Sequence, residues 1–204
     1  MEKLILGVTG ASGILYAKRF VEALPENIFL HLVISRSAQR VVSEEMGRGR
    51  LLFNRKNMEV HAPEDIGASI ASGSFQSDAM VILPCSMKTL AAVANGYADN
   101  LISRAADVMI KERKNLVLVP RETPFSAIHL ENMLKLSRLG VCILPANPGF
   151  YHEPATIEDL IDFVVAKVFD QLKIENNLMK RWGDSSVRLR SPSEVEVRGN
   201  VSNN

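Results

Sequence analysis

The feature that most constrains this chain is a set of short runs that are almost wholly apolar: Leu4–Thr9, Phe29–Ile34, Ala79–Leu83, Leu116–Val119 and Val141–Leu144. A strand without polar alternation needs cover on both faces, which is the signature of a buried parallel sheet. Between these runs lie stretches with helical spacing: Leu15–Leu24, Ala38 to about Met46, Thr89–Ala94, Leu101–Lys114, Pro124–Leu139 and Thr156–Leu172. The alternation predicts one doubly wound α/β domain built on a central parallel sheet. Pro84 and Pro145 are expected to stop their strands. Residues 47–78 read as irregular, with one further strand near Met58–His61. From about Gly183 the chain turns polar and loses its period. Residues 1–182 are therefore expected to form a single domain, and 183–204 a polar tail that is mobile or binds a neighbour.

Bulk properties exclude several classes. A length of 204 residues suits one domain with a full core. A formal net charge of +1 gives no electrostatic case for nucleic acid or an anionic membrane. No apolar run approaches the ~20 residues of a membrane span, and Leu4–Val8 is too short for a signal-peptide core. Cys85 and Cys142 each sit in an apolar run and read as reduced core residues of a cytoplasmic protein. His31, His61, His129 and His152 show no metal-ligand spacing, so no metal is expected.

In this architecture ligands bind beyond the carboxyl ends of the strands, so the loops there carry the chemistry. "GVTGASGILYA" is a strand, a glycine turn and a helix start. Gly10 and Gly13 let backbone approach a ligand, and Ser12 is placed to cap the helix beside amides that favour an anion. The turn is neither a Walker loop nor a dinucleotide fingerprint. The second strand ends at Ser35-Arg36, without the acid a dinucleotide ribose would want, which favours a mononucleotide. "PCSMKTLAAVANG" repeats the pattern: Ser86 and Thr89 offer hydroxyls and amides to phosphate or ribose, or simply cap a helix, and Lys88 reads as a solvated charge.

On the next helix Arg104 and Lys111 are seven residues apart and share a face, with Asp107 and Lys111 spaced as an ion pair. That face is either solvated or a cationic wall. In "LVPRETPFSAIH", Arg121 and Glu122 stand where an apolar strand stops. They are equally readable as a phosphate grip beside a proton-transfer group, or as a local ion pair capping the following helix. "PANPGFYHEP" holds Tyr151 in a loop stiffened by prolines, and Lys167 lies at the edge of the last helix's apolar stripe.

Taken together, "GVTGASG", the long run from "PCSMKTLAAVANGYADN" to "HLENMLKLSRLG", and "ILPANPGFYHEPATIEDLIDFVVAKV" closely resemble the flavin prenyltransferase family, which includes UbiX and the Pad1-type proteins. The resemblance covers roughly Lys3 to Trp182. It implies a flavodoxin-like or Rossmann-like three-layer sandwich. It also implies an enzyme that joins the dimethylallyl group of dimethylallyl phosphate to N5 and C6 of reduced FMN without a metal. The prenylated FMN serves a UbiD-type decarboxylase, and members assemble as dodecamers with sites at subunit contacts. By the same resemblance Gly10, Ala11, Ser12, Ser35, Ser86, Met87, Lys88, Thr89 and Arg121 hold FMN. Arg104, Lys111, Tyr151 and Lys167 hold the prenyl phosphate, and Ser12, Glu45 and Glu122 serve the chemistry. Ile66 stands where some members carry a tryptophan, and Arg48–His61 align poorly. A flavin-dependent aromatic acid decarboxylase and a non-catalytic FMN carrier are the competing readings. An electron-transfer flavodoxin is disfavoured because that class is typically acidic.

Overall fold

Each apolar run becomes a strand of one sheet. The computed structural model describes residues 1–47, 53 and 55–183. Its strands are β1 (Lys3–Val8), β2 (Phe29–Ile34), β3 (Met58–His61), β4 (Ala79–Cys85), β5 (Asn115–Pro120) and β6 (Cys142–Ile143). The helices are α1 (Ile14–Ala23), α2 (Arg36–Glu45), α3 (Met87–Ala94), α4 (Leu101–Lys111), α5 (Ala127–Arg138) and α6 (Ile157–Leu172), with one 3-10 turn at Ser69–Ala71. Every strand pair is parallel, in the order β3-β2-β1-β4-β5-β6.

The strands are apolar on both faces because both faces are covered. Leu4, Leu6 and Val8 of β1, with Val117 and Val119 of β5, point into one core with Phe20 of α1, Val42 of α2 and Phe169 of α6. Ile5, Leu116 and Leu118 point the other way, against Leu90 of α3, Ile102 and Met109 of α4, and Leu136 of α5. Burying one such side chain contributes about 1.5–3 kcal/mol, so two continuous layers hold the sandwich together. The first layer centres on Phe20 and Phe169, both fully buried, with ring centroids 5.0 Å apart.

Several expected boundaries shift. β4 continues through Pro84 to Cys85, and all seven of its residues are buried. α5 begins at Ala127, not Pro124, because Ser126 caps it reciprocally with His129. Thr156 and Asp159 form the same kind of cap on α6. After α6 the chain turns back, and the Arg181 guanidinium donates two hydrogen bonds, of 2.6 and 2.8 Å, to the Asp170 carboxylate. That pairing holds the Asp170 carboxyl below the usual range. Apart from Gly183, the expected tail lies outside the described residues. No helix among the described residues is long and apolar enough to cross a membrane. Burial raises the pKa of the Cys85 thiol well above its usual value, as expected of a packed core cysteine.

Candidate functional site

The strand order changes direction between β1 and β4. At such a switch point the neighbouring crossovers leave on opposite faces and open a crevice beyond the carboxyl ends. The β1–α1 and β4–α3 loops wall this crevice, and Thr9 ties them together. Its buried hydroxyl donates to the Pro84 carbonyl at 2.8 Å and accepts from the Ser86 amide at 2.7 Å. Sequence reading overlooked Thr9, although a polar residue closing an apolar strand beside a glycine is a legible sign.

Three helices begin at this edge. Ser35 caps α2 by accepting from the Ala38 amide at 3.2 Å, and its hydroxyl lies 3.1 Å from that of Ser37. Ser86 caps α3 by accepting from the Thr89 amide at 3.3 Å, with the Thr89 hydroxyl at 3.1 Å. Thr89 is buried, and Met87 packs against the core beneath α3, so its contribution to the crevice is its backbone amide. Lys88 is exposed but not simply solvated, because its ammonium lies 2.7 Å from Asp99.

Ser12 does not cap α1. Gly13 is the N-cap residue, in the left-handed region at φ 110°, where a Cβ would also meet the Tyr16 ring at 2.7 Å. The cap comes from Glu45, 32 residues away, whose carboxylate accepts from the Gly13 amide at 2.8 Å and the Ile14 amide at 2.9 Å. An acid on the last turn of α2 opposes that helix's own dipole, but the same carboxylate meets the positive end of α1. Gly10 lets the loop close on the first turn of α2, since a Cβ there would lie 2.5 Å from the Ser37 side chain. Buried Ala11 turns back through its amide to the Thr9 carbonyl at 2.8 Å. Glu45→Ala is expected to lower the melting temperature by about 2–4 °C, the equivalent of about 1 kcal/mol for one lost cap. An unchanged melting curve would mean that water serves those amides equally well.

Two cavities open at this edge. One, of about 410 Å³, brings Ser12, Glu45 and Arg121 together with Tyr16 and the apolar side chains of Leu15, Ile157 and Ile161. Burial raises the Tyr16 hydroxyl's pKa; the nearby Arg121 charge opposes the shift and Glu45 adds to it. Sequence reading overlooked Tyr16, which lies in the first turn of α1 and lines the same cavity as Ser12. The other cavity, of about 470 Å³, is lined by Ser35, Ser37, Lys88, Asn100 and Ile66 among others. Arg121 and Glu122 form no ion pair with each other among the described residues. The Arg121 amide donates to the Cys85 carbonyl at 3.4 Å, and the Glu122 carboxylate accepts from the Thr123 amide at 3.1 Å.

The remaining expected cations do not line either cavity. Arg104 donates to the Ala71 carbonyl at 3.2 Å and to Asp107 at 2.8 Å. Lys111 pairs with Glu112, not with Asp107 as its spacing proposed. Lys167 faces Asp170 at 3.5 Å. Tyr151 packs edge-on against Phe163, His152 and Trp182. A larger open groove, of about 690 Å³, lies beside Asp170 and Arg181. It sits at the amino edge, where Asn115 at the start of β5 donates to the Gln171 carbonyl, and this fold places no ligand-binding loops there.

A family model for flavoproteins matches residues 1–169. The flavin prenyltransferase UbiX of Methanocaldococcus jannaschii is 48% identical over 181 residues, covering 89% of this chain and 98% of that protein. The dodecameric FMN-dependent UbiX-like decarboxylase from Escherichia coli O157:H7 superposes with a TM-score of 0.84 at 47% identity, covering 88% of this chain and 98% of the other. AnUbiX (PadA1), solved with FMN and dimethylallyl pyrophosphate, superposes with a TM-score of 0.83 at 42% identity, covering 89% and 97%.

Proposed function

Because this chain belongs to the UbiX family of flavin prenyltransferases, we propose that it transfers a dimethylallyl group from dimethylallyl phosphate to N5 and C6 of reduced FMN. The observation that carries this reading is the meeting of Ser12, Glu45 and Arg121 around a largely apolar cavity at the sheet's switch point. The chain fits a flavin mononucleotide. Three helix amino ends, two close-packed glycines and the Ser35, Ser37 and Lys88 side chains offer a phosphate and a ribityl chain their partners. Gly10, Ala11, Ser86, Met87 and Thr89 shape that cradle, largely through backbone.

Prenyl transfer breaks an allylic C–O bond, forms new bonds to the flavin and releases phosphate. Cations must neutralise the leaving group, and a base must take the proton lost from the flavin. Arg121 faces the cavity, and Glu122 is the adjoining carboxylate. The apolar wall of Leu15, Ile157 and Ile161 keeps water from an allylic cation. Arg104, Lys111, Tyr151 and Lys167 line neither cavity of their own chain, and in this reading they serve the site of a neighbouring copy, in an assembly like that of the dodecameric relative. The product is destined for a UbiD-type decarboxylase. Ile66 is largely exposed and lines the second cavity, not the apolar wall of Leu15, Ile157 and Ile161, so it offers no aromatic face to an allylic cation there.

The test is anaerobic incubation with FMN, a reductant and dimethylallyl phosphate, followed by mass spectrometry of the released flavin. A gain of one five-carbon unit is expected. Bound FMN of unchanged mass with the donor intact would leave a flavin carrier, and carbon dioxide release from an aromatic acid by the protein alone would support the decarboxylase.

A further inference from the structure

The edge strand β3 carries a cluster that the flavin site does not use. In the parallel register His31 lies opposite Glu59 and Val33 opposite His61, so His31, Glu59 and His61 project from one face of the β2–β3 pair. His31 and His61 are 4% and 9% exposed, whereas Glu59 opens to solvent. His31 Nδ1 is 3.0 Å from His61 Nε2, and a Glu59 carboxylate oxygen lies 3.5 Å and 3.8 Å from the two nitrogens. A point equidistant from three atoms so separated lies about 2.0 Å from each, the bond length of zinc to imidazole nitrogen and carboxylate oxygen.

Aromatic side chains enclose the buried side of the cluster. The rings of Phe29 and Phe75 pack on His31 with centroids at 5.0 Å. Between two ring nitrogens 3.0 Å apart there is room for only one proton. Nearby Lys3, whose ammonium sits 5.2 Å from the Phe75 ring centroid, opposes a cation, and Glu59 offsets it.

We propose that His31, His61 and Glu59 bind one divalent cation of the zinc class per chain, with its fourth position open to solvent. The two rings turn so that their lone pairs converge on the ion instead of on each other. The site joins β2 to the edge strand and lies apart from the crevice between β1 and β4. It therefore acts as a clip on the fold, not as part of prenyl transfer.

The experiment uses the full chain, stripped with a chelator, and titrates it with Zn²⁺ by calorimetry and with Co²⁺ by visible absorption. Expected are one ion per chain, the absorption of a four-coordinate Co²⁺ site, and a rise in melting temperature with Zn²⁺. Glu59→Gln alters an exposed side chain and so keeps the fold. It should weaken binding by at least about 100-fold, the upper end of what losing a mere supporting contact costs. His61→Gln should abolish the cobalt spectrum, whereas His129→Gln should leave it unchanged. No saturable binding by millimolar zinc, or binding indifferent to both Glu59→Gln and His61→Gln, would overturn the assignment.

Discussion

Glu122→Gln is expected to bind FMN as the parent does and to slow prenylation by about 10²–10⁴-fold, the usual contribution of a positioned acid–base group. The substitution keeps the shape of the side chain and an oxygen that can accept from the Thr123 amide, so the loop after β5 keeps its course. What it removes is the carboxylate that can take a proton. Single-turnover formation of prenylated flavin, followed by mass, separates this from a binding defect. Flavin affinity should be unchanged while the rate falls. Full speed in the variant would remove Glu122 from the proton path and leave the departing phosphate as the base.

The second large effect is on the fold. Phe20→Ala should destabilise the chain by about 3–5 kcal/mol, because it deletes a fully buried ring and leaves a cavity that the sheet cannot fill. Phe20 meets Phe169 at 5.0 Å between α1 and α6, the helices that also bring Leu15, Ile157 and Ile161 to the first cavity. The loss should therefore appear twice, as a lower denaturant midpoint and as weaker flavin binding in folded protein. A loss below about 1 kcal/mol would mean that the two helices repack without that ring.

Much of the sheet could be read from local pattern. Phe29–Ile34 is apolar apart from His31, and the strand has those same bounds. Errors came where a local rule met a distant partner. Pro84 was expected to end β4, yet the strand runs one residue further, where Cys85 pairs with Pro120 of β5. Ser12 looked like a cap because serines cap helices, but Glu45 reaches the amides from another helix. His31 and His61 show no ligand spacing along the chain because strand register, not sequence distance, puts them side by side. The shared face of Arg104 and Lys111 is real, but each takes a nearer acid, Asp107 and Glu112. Of the expected site, Ser12, Glu45 and Arg121 gather around one cavity and Ser35 and Lys88 around another. Arg104, Lys111 and Lys167 do not join either, since helix periodicity gives the face of a helix but not which molecule that face meets.

The proposed sharing of cations between copies has a genetic consequence. If one protomer lends its cations to a cavity carved in the next, a defect in the lender and a defect in the borrower fall on different sides of the same junction. Co-expressing Arg104→Ala with Glu122→Gln should then create some junctions in which both sides are wild type. Two alleles that are each nearly silent alone would complement in a mixed assembly, and either one alone would poison junctions when co-expressed with the parent.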